Sequence, residues 1–339
     1  MPFSFRPGKR ESLSLLIGLA GGTGSGKTFS AMRLAAGLAG GREFAVVDTE
    51  NGRANFYSDN FKFQHGHLSA PFRPDSYIEA IQTYDKAGFP VIVVDSASHE
   101  YAGEGGILDW HEELLDEFVE RAIKGGDTRP DWQIAEAQKM RAWIQPKMSH
   151  KSMMARLLQV KAHVVLCFRA ESKTEIGKET YKDGAGKEKT KTVIREKQGL
   201  MGRNGWFPIC EKNMPFEMTT YLLMTAENPG LPIPITLREP HKPFFPLDKP
   251  ITEESGAALA AWAHGGGPSI TIAKIASASD VPAGAEPVCN PCSKDAGKEM
   301  FMVFVPSGQY EAHWRCPKNI KEHKGVKHAD VLERLKAPA

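Results

Sequence analysis

The first apolar run, Leu13 to Ala20, is nearly uninterrupted and ends in glycines. That is the pattern of a strand buried on both faces and running into a loop. Thr28 to Leu38 follows with apolar residues at helical spacing (Met32, Leu34, Ala35, Leu38), and Gly40-Gly41 stops it. Phe44–Val47 and the almost wholly β-branched Val91–Val94 predict two more buried strands. Between them, Asp75 predicts an N-cap for a helix from Ser76 to Lys86. Ile107–Ile123 has one apolar face (Leu108, His111, Leu115, Phe118) and predicts a helix ended by Gly125-Gly126. Asp131–Val160 predicts mostly helix with a break at Pro146, and Ala162–Phe168 a fourth strand. Phe216–Met224 is strand-like, and Thr252–His264 predicts a short helix closed by glycines. Such alternation of strands and helices predicts an α/β fold, a mainly parallel sheet covered on both sides.

Gly21-Gly22-Thr23-Gly24-Ser25-Gly26-Lys27-Thr28 lies between the first strand and the first helix and fits G-x-x-x-x-G-K-[ST] in full. Glycines let backbone amides wrap phosphates, and the following helix adds its positive end. Lys27 is placed to reach the β and γ phosphates and Thr28 to supply a hydroxyl to Mg²⁺. Val91-Ile-Val-Val-Asp95 is a buried strand ending in a carboxylate, the Walker B pattern, so Asp95 is the second expected Mg²⁺ residue. Many P-loop ATPases carry a glutamate directly after this aspartate. Here Ser96 and Ala97 follow, and the catalytic base must come from elsewhere.

Phe44-Ala-Val-Val-Asp-Thr-Glu50 is a strand ending in Asp-x-Glu, and it resembles the strand bearing the catalytic glutamate of RecA-family recombinases. The resemblance assigns Glu50 to orient and deprotonate the attacking water; the plainer alternative is a cap for a turn at Asn51-Gly52. His163-Val-Val-Leu-Cys-Phe-Arg169-Ala-Glu171 looks like the later core strand whose polar end senses the γ-phosphate, with Arg169 as sensor or as an ordinary strand-end arginine. Order and spacing over residues 13–225 are similar to phage ATPases with a minimal RecA-like core, some of which anneal or recombine single strands. The resemblance implies ATP and Mg²⁺ as ligands, single-stranded DNA as partner, and a homo-oligomeric ring or filament. No large RecA-type terminal domain is visible, and Asp131–Val160 is a longer helical insertion, which speaks against strand exchange proper.

Glu171–Asn204 differs in character, with nine Lys or Arg and six Asp or Glu around an Asp183-Gly184 turn signal. It predicts an exposed hairpin or loop. By its position in RecA-like cores, Lys187, Lys189, Lys191, Arg195, Lys197 and Arg203 are candidate DNA contacts, with Lys197 or Arg203 alternatively reaching a neighbouring subunit's γ-phosphate. By composition alone it is a solvated hairpin of mixed charge.

The tail adds a second chemistry. Residues 266–287 are rich in Ala, Ser, Gly and Pro and predict a linker between a 1–265 ATPase domain and a 288–339 module. Cys289-Asn-Pro-Cys292 and Cys316 are spaced as zinc-ribbon ligands around two strand-like segments, with His323 as the favoured fourth ligand and His313 and His328 behind it. So short a module cannot form a core unaided, which favours Zn²⁺. Gly308–Cys316 resembles the third-ligand strand of topoisomerase-type zinc ribbons, implying stacking by Tyr310 and Trp314 and phosphate contact by Arg315. Five scattered cysteines do not form a disulfide framework, and a reducing cytoplasm is expected. There is no apolar run long enough to span a membrane. A formal net charge of +2 means that any nucleic-acid surface must be local. A helicase-loader or motor-type ATPase working through a protein partner, or a nucleotide-switched regulatory protein, are the other functions these motifs allow.

Overall fold

The computed structural model describes residues 10, 13–182, 188–197, 205–266, 287–296, 300–305, 313–318, 326–327 and 330–331. The chain divides into two compact units, Met1–Pro268 and Ser269–Ala339.

In the first unit, β1 (Leu16–Gly21), β2 (Phe44–Asp48), β3 (Phe63–His67), β4 (Val91–Asp95) and β5 (His163–Ser172) alternate with helices. The helices are α1 (Lys27–Ala39), α2 (Pro74–Lys86), α3 (His99–Ala102), α4 (Ile107–Lys124), α5 (Asp131–Ala142) and α6 (Ile144–Leu157). After a hairpin, β6 (Thr174–Lys182) with β7 (Glu188–Glu196), come β8 (Trp206–Pro208), α7 (Met214–Glu217), β9 (Thr220–Met224), β10 (Ile233–Leu237) and α8 (Glu253–Ala263). The main sheet runs β10-β9-β1-β5-β4-β2-β3, with β8 on the extended end of β5. All neighbours from β9 to β3 pair in parallel; β10 and β8 pair antiparallel. This is the mainly parallel, helix-covered α/β sheet that the alternation predicts.

Strand alternation divides the core in two. Ile17, Leu19, Val46 and Val93 face α1 and α8; Leu16, Ala20, Val47, Ile92 and Val94 face α2 and α6. Helices α1 and α8 touch at glycines: a Cβ on Gly37 would stand 1.9 Å from the Glu253 carbonyl oxygen, and one on Gly256 2.2 Å from that of Leu34.

Three boundaries differ from expectation. Helix α2 starts at Pro74 after Arg73, with no side-chain cap, because proline at the first position already sets φ; Asp75 lies in the first turn, not at the N-cap. The break in the 131–160 helix falls at Trp143, and Pro146 sits in the first turn of α6, where its missing N–H has no intrahelical partner to lose. Phe216 belongs to α7, and the strand starts only at Thr220.

In the second unit, α9 (Asn290–Ala296) is followed by β11 (Val303–Val305), β12 (His313–Arg315) and β13 (Val326–Lys327), an antiparallel sheet in the order β11-β12-β13. Its small core holds Cys289, Cys292, Met302, Trp314, Cys316 and Val331. Among the described residues, no helix is long and apolar enough to cross a membrane.

Candidate functional site: a phosphate-loop cleft

The sheet register lines up four strand ends. Gly21 pairs with Arg169, Asp95 with Cys167, and Asp48 with Asp95. The functional residues predicted on four separate strands therefore converge at one carboxyl edge of the sheet, where open α/β sheets bind ligands. There a cleft of about 770 Å³ is lined by Gly21–Thr28, Glu50, Asp95 and Arg169, with Phe29, Arg53, Phe56, Tyr57, Ala170 and Ile209 completing the wall.

The loop conformation depends on two glycines in particular. Gly26 has φ +81° at the N-cap of α1, and an added Cβ would lie 2.8 Å from the Gly230 nitrogen. At Gly21 an added Cβ would meet the Met224 carbonyl oxygen at 2.4 Å. Ser25 Oγ donates to the Gly22 carbonyl (2.8 Å), as does Lys27 Nζ (2.9 Å), so the ammonium is folded onto its own loop.

Thr28 Oγ1 donates to Asp95 Oδ2 at 2.5 Å. Burial is the largest influence on Asp95 and pushes its carboxyl up to about 6; the Thr28 hydrogen bond and Lys27 oppose this, while the Glu50 and Asp48 charges add to it. A buried carboxylate beside a hydroxyl, short of positive charge, is a hard-oxygen donor set that fits Mg²⁺. The Asp95–Ser96 peptide bond is cis.

Glu50 is held by two arginines. Arg169 donates through Nη2 (2.7 Å) and Nε (3.1 Å) to Oε1, and Arg53 Nη1 donates to Oε2 at 2.8 Å. Burial acts to raise the Glu50 carboxyl, but the Arg169 hydrogen bond and the charges of Arg169 and Arg53 outweigh it and leave it below the usual glutamate range. Asp48, two residues earlier, has a local task. It accepts from the backbone N–H groups of Glu50 (2.6 Å) and Ala54 (3.0 Å), which fixes the turn that presents Glu50. Thr49 Oγ1 accepts from the Ser96 N–H (2.8 Å) and lies 2.8 Å from His99 Nδ1, tying the strand-end loops of β2 and β4 together.

Sequence reasoning missed Arg53, Phe29, Phe56 and Tyr57. Arg53, Phe56 and Tyr57 belong to a 3₁₀ turn, Arg53–Tyr57, entered at Gly52 with φ +81°. Phe29 lies 5.5 Å from Tyr57, ring to ring, while the Phe56 ring is 80% exposed on the cleft wall. Asn51-Gly52 signals a turn in the sequence, but the direction in which that turn sends the chain is set by the fold.

The candidate DNA contacts lie on or near the β6–β7 hairpin. Lys187 and Arg203 are outside the described residues, as is the side chain of Lys189. Arg195 is ion-paired with Glu175 at 2.8 Å, and Lys191 sits opposite Glu179 in the register. Lys197 is exposed beyond β7.

In the second unit, Cys289, Cys292 and Cys316 are buried with their sulfurs within 4.8 Å of one another, and Cys292 and Cys316 Sγ are 3.4 Å apart. Thiolates around tetrahedral Zn²⁺, each about 2.3 Å from the metal, fit this spacing. His323 and His328, like Tyr310, lie outside the described residues. Trp314 is 3% exposed and packs on Phe304 at 5.3 Å. The expectation that it stacks on a base is corrected: its ring fills the module's core.

No curated protein matches the chain significantly. A family model described as an AAA domain matches residues 14–204, more than half of the chain and the whole stretch from β1 through the hairpin. The phosphate loop, the Asp95 strand and this match agree, and the chain belongs to the AAA-domain family of P-loop ATPases.

Proposed function

We propose that this protein is a RecA-like, Mg²⁺-dependent ATPase that acts on single-stranded DNA in phage-type recombination, annealing, repair or replication, and that it works as a homo-oligomer. The observation that carries the ATPase half is the convergence of Lys27, Thr28, Asp95, Glu50 and Arg169 on one cleft. The phosphates lie along the amides of Gly22–Thr28, and Lys27 exchanges the Gly22 carbonyl for phosphate oxygen. Thr28 and Asp95 hold Mg²⁺, which when bound neutralises charge on the β and γ phosphates. Phe56, which lines the same cleft as Phe29 and Tyr57, offers the nucleobase a ring face.

Glu50 takes the role of base for the attacking water. Held low by Arg169 and Arg53, it is ionised at neutral pH, as an acceptor must be. The Arg169 guanidinium that pairs with Glu50 also lines the cleft beside the phosphate loop. A γ-phosphate in the cleft competes for the same guanidinium, so nucleotide arrival frees one side of Glu50 and gives Arg169 its sensing role.

The DNA half rests on the RecA-like motif order and on the place of the basic hairpin after β5. The pairing of Arg195 with Glu175 weakens it, leaving Lys197 as the freest cation of the described set. Zn²⁺ held by Cys289, Cys292 and Cys316 with a histidine, His323 by spacing, completes the tail module as a ribbon. A loader or motor acting through a protein partner is the second reading, favoured by that same charge pairing. ATP hydrolysis measured with and without single-stranded DNA separates the two. Stimulation of several-fold supports the first, and identical rates at saturating DNA refute it.

A further inference from the structure

Trp206 opens β8, the short strand that pairs antiparallel with the extended end of β5, with Ser172 opposite Trp206 and Ala170 opposite Pro208. The backbone is held on both sides of it. Before it, the Gly205 carbonyl accepts from the Lys173 N–H at 2.8 Å, at the foot of the β6–β7 hairpin. After it, the Ile209 N–H donates to the Arg169 carbonyl at 2.8 Å. Arg169, Ala170 and Ile209 all line the cleft. Strand β8 therefore borders the nucleotide site along the strand that carries Arg169.

The Trp206 indole reaches the phosphate loop itself. A Cβ added to Gly22 would stand 3.2 Å from both Cη2 and Cζ3 of Trp206, the outermost atoms of the ring. The ring is half-buried and packs against the core on the α2 and α6 side of the sheet, with its outer edge on Gly22. Gly22 has no left-handed φ, unlike Gly24 and Gly26, so its backbone admits alanine, and the ring is the nearest obstacle to a side chain there. The peptide under that ring carries much of the loop's bonding: the Gly22 carbonyl accepts from Ser25 Oγ at 2.8 Å and from Lys27 Nζ at 2.9 Å. Indole is the largest rigid side chain, and a phenyl ring on the same backbone stops short of Gly22.

We propose that Trp206 is a positioning residue of the nucleotide site: its indole edge holds the Gly22 peptide, and through that peptide the loop and Lys27, in the geometry that receives the β and γ phosphates. Trp206 is not among the residues lining the cleft, so it acts through Gly22. The role rests on the phosphate-loop reading above and adds to it a side chain from outside the loop.

Steady-state ATPase kinetics and titration with a fluorescent ATP analogue test this on the full chain carrying Trp206→Phe, Gly22→Ala or both. In Trp206→Phe the loop loses its support, so KM and the analogue's Kd are expected to rise at least about fivefold while kcat stays within about twofold. In Gly22→Ala the methyl meets the indole and displaces the peptide, with a rise of similar size. In the double variant the methyl enters the space that the shorter ring vacates. It should bind no more weakly than either single variant, where independent effects would multiply to about twenty-five-fold. Parental KM in either single variant overturns the proposal, as does a double variant whose losses multiply. So does a Trp206→Phe protein that loses kcat and melting temperature together, which marks a general role in the fold. A parent that binds no nucleotide overturns the nucleotide site and this role with it; a parent that binds, with all variants equal to it, overturns only the role of Trp206.

Discussion

Replacing Glu50 by Gln separates chemistry from architecture at this site. The side chain keeps its size and one carbonyl acceptor, but loses the charge and the ability to take a proton. The structural cost is small. Its partners Arg169 and Arg53 are 49% and 62% exposed, so solvent screens both ion pairs, and their combined loss is worth about 1 kcal/mol or less. The proposed phosphate-binding loop, Gly21–Thr28, makes no hydrogen bond to Glu50 among those described, so nucleotide affinity should stay within about threefold. Removing a general base costs about 10²–10⁴ in rate, or ~3–5 kcal/mol of barrier. The variant should therefore bind nucleotide like the parent, melt within a few degrees of it, and turn over at least about a hundredfold more slowly. Equilibrium titration with a fluorescent ATP analogue and a phosphate-release assay measure the two sides. Turnover within threefold of the parent would remove Glu50 from the mechanism and leave it as a turn residue.

Neighbouring geometry leads to further expectations. Phe56→Ala removes an exposed ring from the cleft wall, so nucleotide affinity should fall about three- to tenfold with no loss of melting temperature; unchanged affinity would place the base elsewhere. His163 is buried as a neutral base, accepting from the Leu15 N–H at 3.2 Å, and burial, with His264 nearby, lowers it to about 4. With an unfolded value of about 6.5, the unfolded chain binds the extra proton as pH falls below 6.5. Relative to His163→Asn, the parent should thus lose about 2 kcal/mol of stability between pH 7 and pH 5 in urea unfolding, and parallel pH profiles would contradict this. Cys292→Ser should abolish zinc in elemental analysis of protein purified without chelator, while the parent carries one equivalent; a metal-free parent rejects the site.

Much of the sheet was legible because strands buried on both faces leave uninterrupted apolar runs, as Leu15–Ala20 and Val91–Val94 do. The missed strands lack that signature. Phe63–His67 is a half-exposed edge strand with two histidines and a glycine, and Ile233–Leu237 contains a proline that an edge tolerates. Within the site, the phosphate loop and Asp95 were readable because phosphate and metal binding demand fixed residue types at fixed spacing. The Glu50–Arg169 pair spans 119 positions and exists only because β5 lies between β1 and β4. Phe56 was unreadable for a different reason: an exposed aromatic has no period, and only the left-handed turn at Gly52 aims it into the cleft.

The most direct test of the nucleotide site is calorimetric titration of Mg²⁺-ATP into the folded protein and into Lys27→Ala. One site per chain in the parent, with affinity lost by tenfold or more in the variant, is the expected result. A folded parent that binds no nucleoside triphosphate, or a variant that binds and hydrolyses ATP as the parent does, would contradict it.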